Sequence, residues 1–171
     1  MAEEVLHGER VALRPLAEDD IPRLAEILAH PEIAQWWQGH DEARIRRELI
    51  EDPEVTAFVV ELEDCVIGLI EYSEENDPDY RHASIDVTLD AEHLGQGLGT
   101  DAVRTLARYL FEIRGHHRIT MDPAVTNDRA IAAYTKVGFK PVGVMRQYER
   151  VSEGVWRDNL LMDLLRDEFA V

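Results

Sequence analysis

The chain has 171 residues, 45% of them hydrophobic, which suits one domain, residues 1–171, with a full core. Its 35 acidic residues against 18 basic ones give a formal net charge of −17, which argues against nucleic acid and against anionic membrane surfaces as partners. One cysteine, Cys65, excludes an intrachain disulfide and a thiolate metal site, and its place in the apolar run CVIGLI reads as a small buried hydrophobe.

The opening MAEEVLHGER is acidic and broken by glycine, and no apolar segment approaches the length that spans a bilayer, so a cytoplasmic protein is expected. RVALRPL (residues 10–16) alternates like a half-buried strand. AEDDIPRLAEILAH then sets Ile21, Leu24, Ile27 and Leu28 on one helical face, with Asp19 or Asp20 as its start and Pro22 in its first turn. PEIAQWWQG predicts a helical turn and DEARIRRELI a second short helix, while TAFVVELE and CVIGLIEY read as two strands joined by a tight acidic turn. ENDPDYRH is a loop by its Asn, Asp and Pro content, and HASIDVTLD a strand with Ile85, Val87 and Leu89 on one face.

Val103, Leu106, Ala107, Leu110 and Phe111 then recur at helical spacing up to Gly115. HRITMD is a short strand and TNDRAIAAYTKVGF a helix stopped at Gly138. Two closing antiparallel strands run from Pro141 to Val151 and from Val155 to Leu165. The order β α α β β β α β α β β predicts an α/β (α+β) fold with a central mixed sheet and helices on its faces.

HLGQGLGTDAV, with glycines at 95, 97 and 99, lies between a strand and a helix start, where unpaired amides and the helix dipole favour an anion such as phosphate. No Gly-Lys-Ser/Thr follows, so a P-loop is excluded. The spacing is not G-x-G-x-x-G, and the antiparallel strands before it contradict a Rossmann unit.

LDAEHLGQGLGTDAV followed by NDRAIAAYTKVGF resembles the GNAT superfamily of acyl-CoA N-acyltransferases, over nearly the whole chain. The resemblance implies a mostly antiparallel central sheet and acetyl-CoA as co-substrate with no metal. The backbone of Gly95, Gln96, Gly97, Leu98, Gly99 and Thr100 would cradle the pyrophosphate. Leu94 stands where the family usually has Arg or Gln, which removes one side-chain contact and keeps the backbone cradle. By the same resemblance, the backbone of Val87 and Leu89 would pair with the pantetheine arm, Asn127 would contact it, and Tyr134 would stand near the sulfur as general acid.

Alternation turns Asp86 away from Ile85 and Val87, toward the face of Ser84 and Thr88, where it can serve as base without piercing the core. A second carboxylate, Asp122, ends the strand HRITMD. Within GNAT, PEIAQWWQG, RHASIDVTLD, LGQGLGT and ITMDPAVTNDRAIAAYTKVGF are most similar to the aminoglycoside 6′-N-acetyltransferases, which bind a polycationic antibiotic. The similarity implies Asp86 as base or amine anchor, Asp122 as a second ammonium partner, Trp36 and Trp37 as a flat wall for a sugar ring, and Glu71 as a further anion.

The acidic run from Glu61 to Tyr80, eight acids with no Lys or Arg, reads either as a solvated loop or as a surface that gathers cations. The loop from Ser73 to Tyr80 is shorter than in that subfamily, which bears on the antibiotic range. Trp156 reads as core, and His116-His117 as structural or exposed, since neighbours in a strand face opposite ways. Two other readings stay open. One is a GNAT of siderophore assembly acylating an N-hydroxylysine, a branch that usually relies on a histidine. The other is a non-catalytic acyl-CoA-binding module.

Overall fold

The computed structural model describes residues 4–170, so the first three residues of the acidic N-terminal stretch and Val171 lie outside the described residues. Eight strands form one sheet: β1 (Leu6–His7), β2 (Ala12–Pro15), β3 (Val55–Leu62), β4 (Cys65–Glu75), β5 (His82–Leu89), β6 (Arg118–Met121), β7 (Lys140–Ser152) and β8 (Val155–Leu165). Their order is β1-β2-β3-β4-β5-β6-β8-β7, antiparallel at every rung except between β5 and β6. β1 was not legible, because two residues carry no period.

The helices are α1 (Ile21–Ala29), α2 (Pro31–Ala34), α3 (Glu42–Ile45), α4 (Leu98–Glu112) and α5 (Asp128–Val137). Strand alternation sorts the core into two layers. Phe58, Val60, Ile70, Tyr72, Ile85 and Leu89 pack with Leu106 and Leu110 of α4 and with Val137 of α5. Ala57, Val59 and Leu69 point the other way and meet Leu24 and Leu28 of α1 and Ile45 of α3. α3 runs on into a π-type turn over Arg46–Ile50, which keeps Leu49 against the sheet.

The turn between β3 and β4 puts Glu63 and Asp64 at φ 49 and 64, the backbone that a tight hairpin needs. It also lifts Cys65 to the surface, so this cysteine is exposed and not a core residue: the strand's first position belongs to the turn. β4 reaches Glu75, so the loop expected from Ser73 starts only after the strand has carried Ser73, Glu74 and Glu75 into pairing with β5. Trp156 is 50% exposed on β8, not core, because it stands opposite Arg150 close to the tip of the β7–β8 hairpin.

The feature that makes a site possible is where β5 and β6 part. They pair only at Ala83 with Ile119 and Ser84 with Thr120, whereas β4 follows β5 as far as Leu89. β6 instead continues with β8 to Met121. The β6-facing edge of β5 beyond Ser84 therefore has no strand partner, and a gap opens in the middle of the sheet.

Candidate active site

The glycine loop is held from behind by charged groups. Asp90, 7% exposed, accepts the amides of Glu92 and His93 at 3.0 and 3.1 Å and pairs with Arg23 at 2.8 Å, fixing the turn that leads into the loop. Arg10 donates to the Gln96 carbonyl at 2.8 Å. Asp101, in the first turn of α4, accepts the amides of Glu9, Arg10 and Val11 at 2.8–3.0 Å. Gly95 and Gly97 sit at φ 72 and 79, in the left-handed region that side chains resist, with open space where a Cβ would stand. Gly97 caps α4, so the first amides of the helix have no intrahelical acceptor.

That arrangement fits an anion with several oxygens. Leu94, Gly95, Gly97, Gly99 and Thr100 line a cleft of about 440 Å³, which continues along Val87, Thr88 and Leu89 at the free edge of β5 and along Asn127, Ala130 and Ala133 of α5. Arg129 and Lys136 stand on its rim. Gln96 and Leu98, also expected in the cradle, do not line this cleft: the Gln96 side-chain amide turns back to the Glu92 carbonyl at 2.9 Å, and Leu98 is fully buried in the core. Asn127 caps α5, its Oδ1 accepting from Ala130 at 3.2 Å, which leaves its amide group for the cleft.

A second cleft of about 480 Å³ lies across the sheet opening. Trp36, Trp37, Val87, Asn127 and Tyr134 line both, so the two meet at these five residues. Trp36 carries the Arg157 guanidinium 5.5 Å above its ring, and Trp37 meets His40 edge-on at 5.3 Å. Tyr134 is buried at the junction; burial, with Asp86 and Asp122 nearby, raises its phenol, which stays protonated at neutral pH.

The second cleft gathers six carboxylates, from Glu48, Asp52, Glu71, Asp86, Asp122 and Glu149, against Arg157 and His40. Burial raises Asp86 well above the ordinary carboxylate range, and Asp122, Glu71 and Glu149 push the same way. Asp86 is itself exposed to the open cleft, and the three like charges act in the same direction as the crowding by protein. Burial takes Asp122 to about 6, although the Tyr148 hydroxyl pulls it down. Burial, with Glu48 and Asp52, takes Glu71 to about 7.

Most of the acidic run between Glu61 and Tyr80 is absent from this cleft. Glu61 pairs with Arg14 at 2.7 Å, and Glu74 with Arg114 and with buried His116 at 2.8 and 2.7 Å. Glu75 and Asp77 accept amides of their own loop at 2.9 Å. Of that run, only Glu71 lines the cleft.

Glu48, Asp52, Tyr148, Glu149, Arg157 and Asn159, with His40, line this cleft without having been marked by the sequence pattern. Tyr148 and Glu149 enter through a bulge in β7, where three residues stand between the rungs Met145–Asn159 and Glu149–Arg157 and Gln147 takes φ 47. Asn159 follows the charged pair Arg157-Asp158 in β8 and so gave no separate signal, yet it is 2% exposed. Its amide donates to the Asp122 carbonyl at 2.8 Å and to Glu149 at 3.0 Å.

Among the described residues, no group of three or more His, Cys, Asp or Glu is placed to hold a metal ion, and no helix is long and apolar enough to cross a membrane. Residues 10–140 match the family model of the acetyltransferase (GNAT) domain. The aminoglycoside N(6′)-acetyltransferase type 1 of Klebsiella pneumoniae is 31% identical over 158 residues, which cover 81% of this chain and 78% of the relative. The spermidine N(1)-acetyltransferase of Escherichia coli K12 is 26% identical over 165 residues, 93% of this chain and 88% of the relative. A solved structure of AAC(6′)-Ib with paromomycin and acetyl-CoA superposes with a TM-score of 0.79 at 28% identity, covering 94% of this chain and 96% of that one.

Proposed function

The chain belongs to the GNAT acetyltransferase family and is an acetyl-CoA-dependent N-acetyltransferase; from that premise we propose that its acceptor is a polycationic small molecule with a primary amine, first among them the 6′-amine of an aminoglycoside. The observation that carries the acceptor class is the second cleft, where six carboxylates meet one arginine that is already engaged. Such a field concentrates multivalent cations, and partly desolvated carboxylates bind ammonium donors best. Trp36 and Trp37 give the cleft a flat apolar wall that suits a sugar ring.

In this reading the glycine loop and the start of α4 hold the pyrophosphate, and the free edge of β5 at Val87 and Leu89 accepts the pantetheine arm as an added strand, with Asn127 opposite. Asp86 takes a proton from the acceptor ammonium. The neutral nitrogen then attacks the thioester carbonyl, a C–N bond forms, the C–S bond breaks, the leaving thiolate takes a proton from Tyr134, and the proton shed by the acylated nitrogen returns to the Tyr134 oxygen. Asp122 and Glu71 hold further positive charge of the acceptor.

Similarity to a spermidine acetyltransferase favours a second reading, a linear polyamine in the same cleft. A panel of kanamycin-type aminoglycosides, spermidine and N-hydroxylysine, assayed with acetyl-CoA by thiol release, separates them. Turnover of aminoglycosides above the other two is the expected result. Activity on spermidine alone moves the substrate to the second reading, activity on hydroxylysine alone to siderophore chemistry, and acetyl-CoA binding without turnover of any amine to a non-catalytic module.

A further inference from the structure

Glu71 and Asp86 stand directly opposite each other on β4 and β5. Alternation sends both side chains to the face away from Tyr72 and Ile85, and side chains at such a rung start about 5 Å apart. Among the described residues, neither carboxylate has an arginine, lysine or histidine within 4.0 Å. Oε2 of Glu71 is sealed from solvent and has no hydrogen-bond partner. Asn159 in the same cleft is 2% exposed and likewise leaves its Oδ1 unpartnered. A carboxylate with a sealed, unpartnered oxygen directly opposite a second carboxylate is unfavourable when both are ionised, and either a proton or a bound cation resolves it.

We propose that Glu71 and Asp86 form one cation-or-proton site: at rest a single proton resides on the pair, and the ammonium group of the acceptor displaces it to solvent on binding. This rests on the acceptor cleft receiving ammonium groups, and it adds a proton exchange to that reading. The surroundings offer little competing positive charge. The segment after α3 presents Glu48 and Asp52, with His40 from the loop before it; the end of β6 presents Asp122; β7 presents Tyr148 and Glu149; α5 presents Tyr134. Arg157 of β8 is spent on Glu149 at 2.7 Å and on the carbonyls of Gln35 and Trp36 at 2.9 and 3.0 Å. Burial with Glu48 and Asp52 raises Glu71, and burial with Asp122, Glu71 and Glu149 raises Asp86, so both carboxyls are pushed toward the protonated form.

The exchange closes the proton count of the reaction. An ammonium acceptor and an acetyl thioester give an amide, a free thiol and one proton. With the exchange, that proton leaves at acceptor binding, when the resting proton departs. The ammonium then gives one proton to the pair, which restores the resting state, and the proton lost from the attacking nitrogen balances the one gained by the thiolate.

Carboxyl carbon NMR of the full-length, ligand-free protein tests the resting proton without any acceptor. The Glu71 carboxyl should titrate near neutral pH and move down by about one unit or more in Asp86→Asn, which removes the like charge and keeps the shape. Titration of both carboxyls near the ordinary carboxylate value overturns the proposal, and so does a Glu71 midpoint that ignores Asp86→Asn. Calorimetry of kanamycin and of spermidine binding to the coenzyme A complex, at about pH 6.5 in buffers of different ionisation heat, tests the exchange. About half to one proton should be released per acceptor, falling toward zero in Glu71→Gln. Binding by the wild type with no proton release overturns the exchange. If neither amine binds while Glu71 still titrates near neutrality, the acceptor reading and the exchange both fail and the resting proton survives.

Discussion

The Ser84 and Thr120 hydroxyls share a hydrogen bond of 2.8 Å at the last rung where β5 and β6 run together. One rung further on, the strands have separated and the cleft begins. The pair therefore acts as the crotch of the opening, and the positions of the free β5 edge and of Asp122 both depend on it.

Thr120→Val keeps the shape of this residue, which is 6% exposed, but leaves the Ser84 hydroxyl without its partner. A loss of about 1 kcal/mol in urea unfolding is expected, with a coupling of similar size in the double mutant with Ser84→Ala. The KM for acetyl-CoA should rise in the same variant, because the gap that receives the cofactor arm loses its fixed vertex. Additive single mutants would remove this bond from the account.

Gly97→Ala puts a side chain on a residue at φ 79 with open space around it, so the penalty is conformational and not steric. Strain of about 1–2 kcal/mol is expected. If the loop relaxes it by moving its amides, the KM for acetyl-CoA rises several-fold with kcat little changed. A fall in kcat at constant KM would separate this glycine from cofactor binding.

Tyr134→Phe should lower kcat about 100-fold, the low end of what a general acid supplies, because a thiol with a pKa near 8.5 leaves tolerably unaided. Asp86→Asn should reduce turnover at least as far while coenzyme A still binds with unchanged heat. Full activity in either variant removes that residue from the chemistry.

Affinity for a polycationic acceptor should weaken steadily as salt rises from about 0.01 to 0.15 M, since the screening length falls from about 30 to 8 Å. Glu48→Gln and Asp52→Asn, both on the cleft wall, should flatten that slope. A slope that is flat from the start would mean the carboxylates act only on contact.

Stability should also respond to pH through Glu71. Its folded carboxyl is raised to about 7 from 4.5, so the folded state holds a proton that the unfolded chain has lost, and stability declines as pH rises between those values. The decline is at most about 3 kcal/mol for such a shift. Glu71→Gln should abolish its share, so wild type and variant converge at acid pH and separate toward neutral pH. Parallel unfolding curves across that window would show that Glu71 sits in an ordinary, hydrated setting.

Local pattern was enough to read the strand and helix order, the glycine loop and the two apolar faces, because strand and helix periods and backbone needs at Gly95 and Gly97 are written into neighbouring residues. It also brought out Asp86, since alternation alone turns that residue off the core face. What reading along the chain could not supply was which distant charges share a volume. Glu61 and Glu74 were absorbed by Arg14 and Arg114, while Glu48, Asp52 and Glu149 were brought to the cleft from segments that look like solvated surface. The parting of β5 from β6, the β7 bulge and the facing of Glu71 with Asp86 are matters of pairing register, and register depends on contacts between residues far apart in sequence.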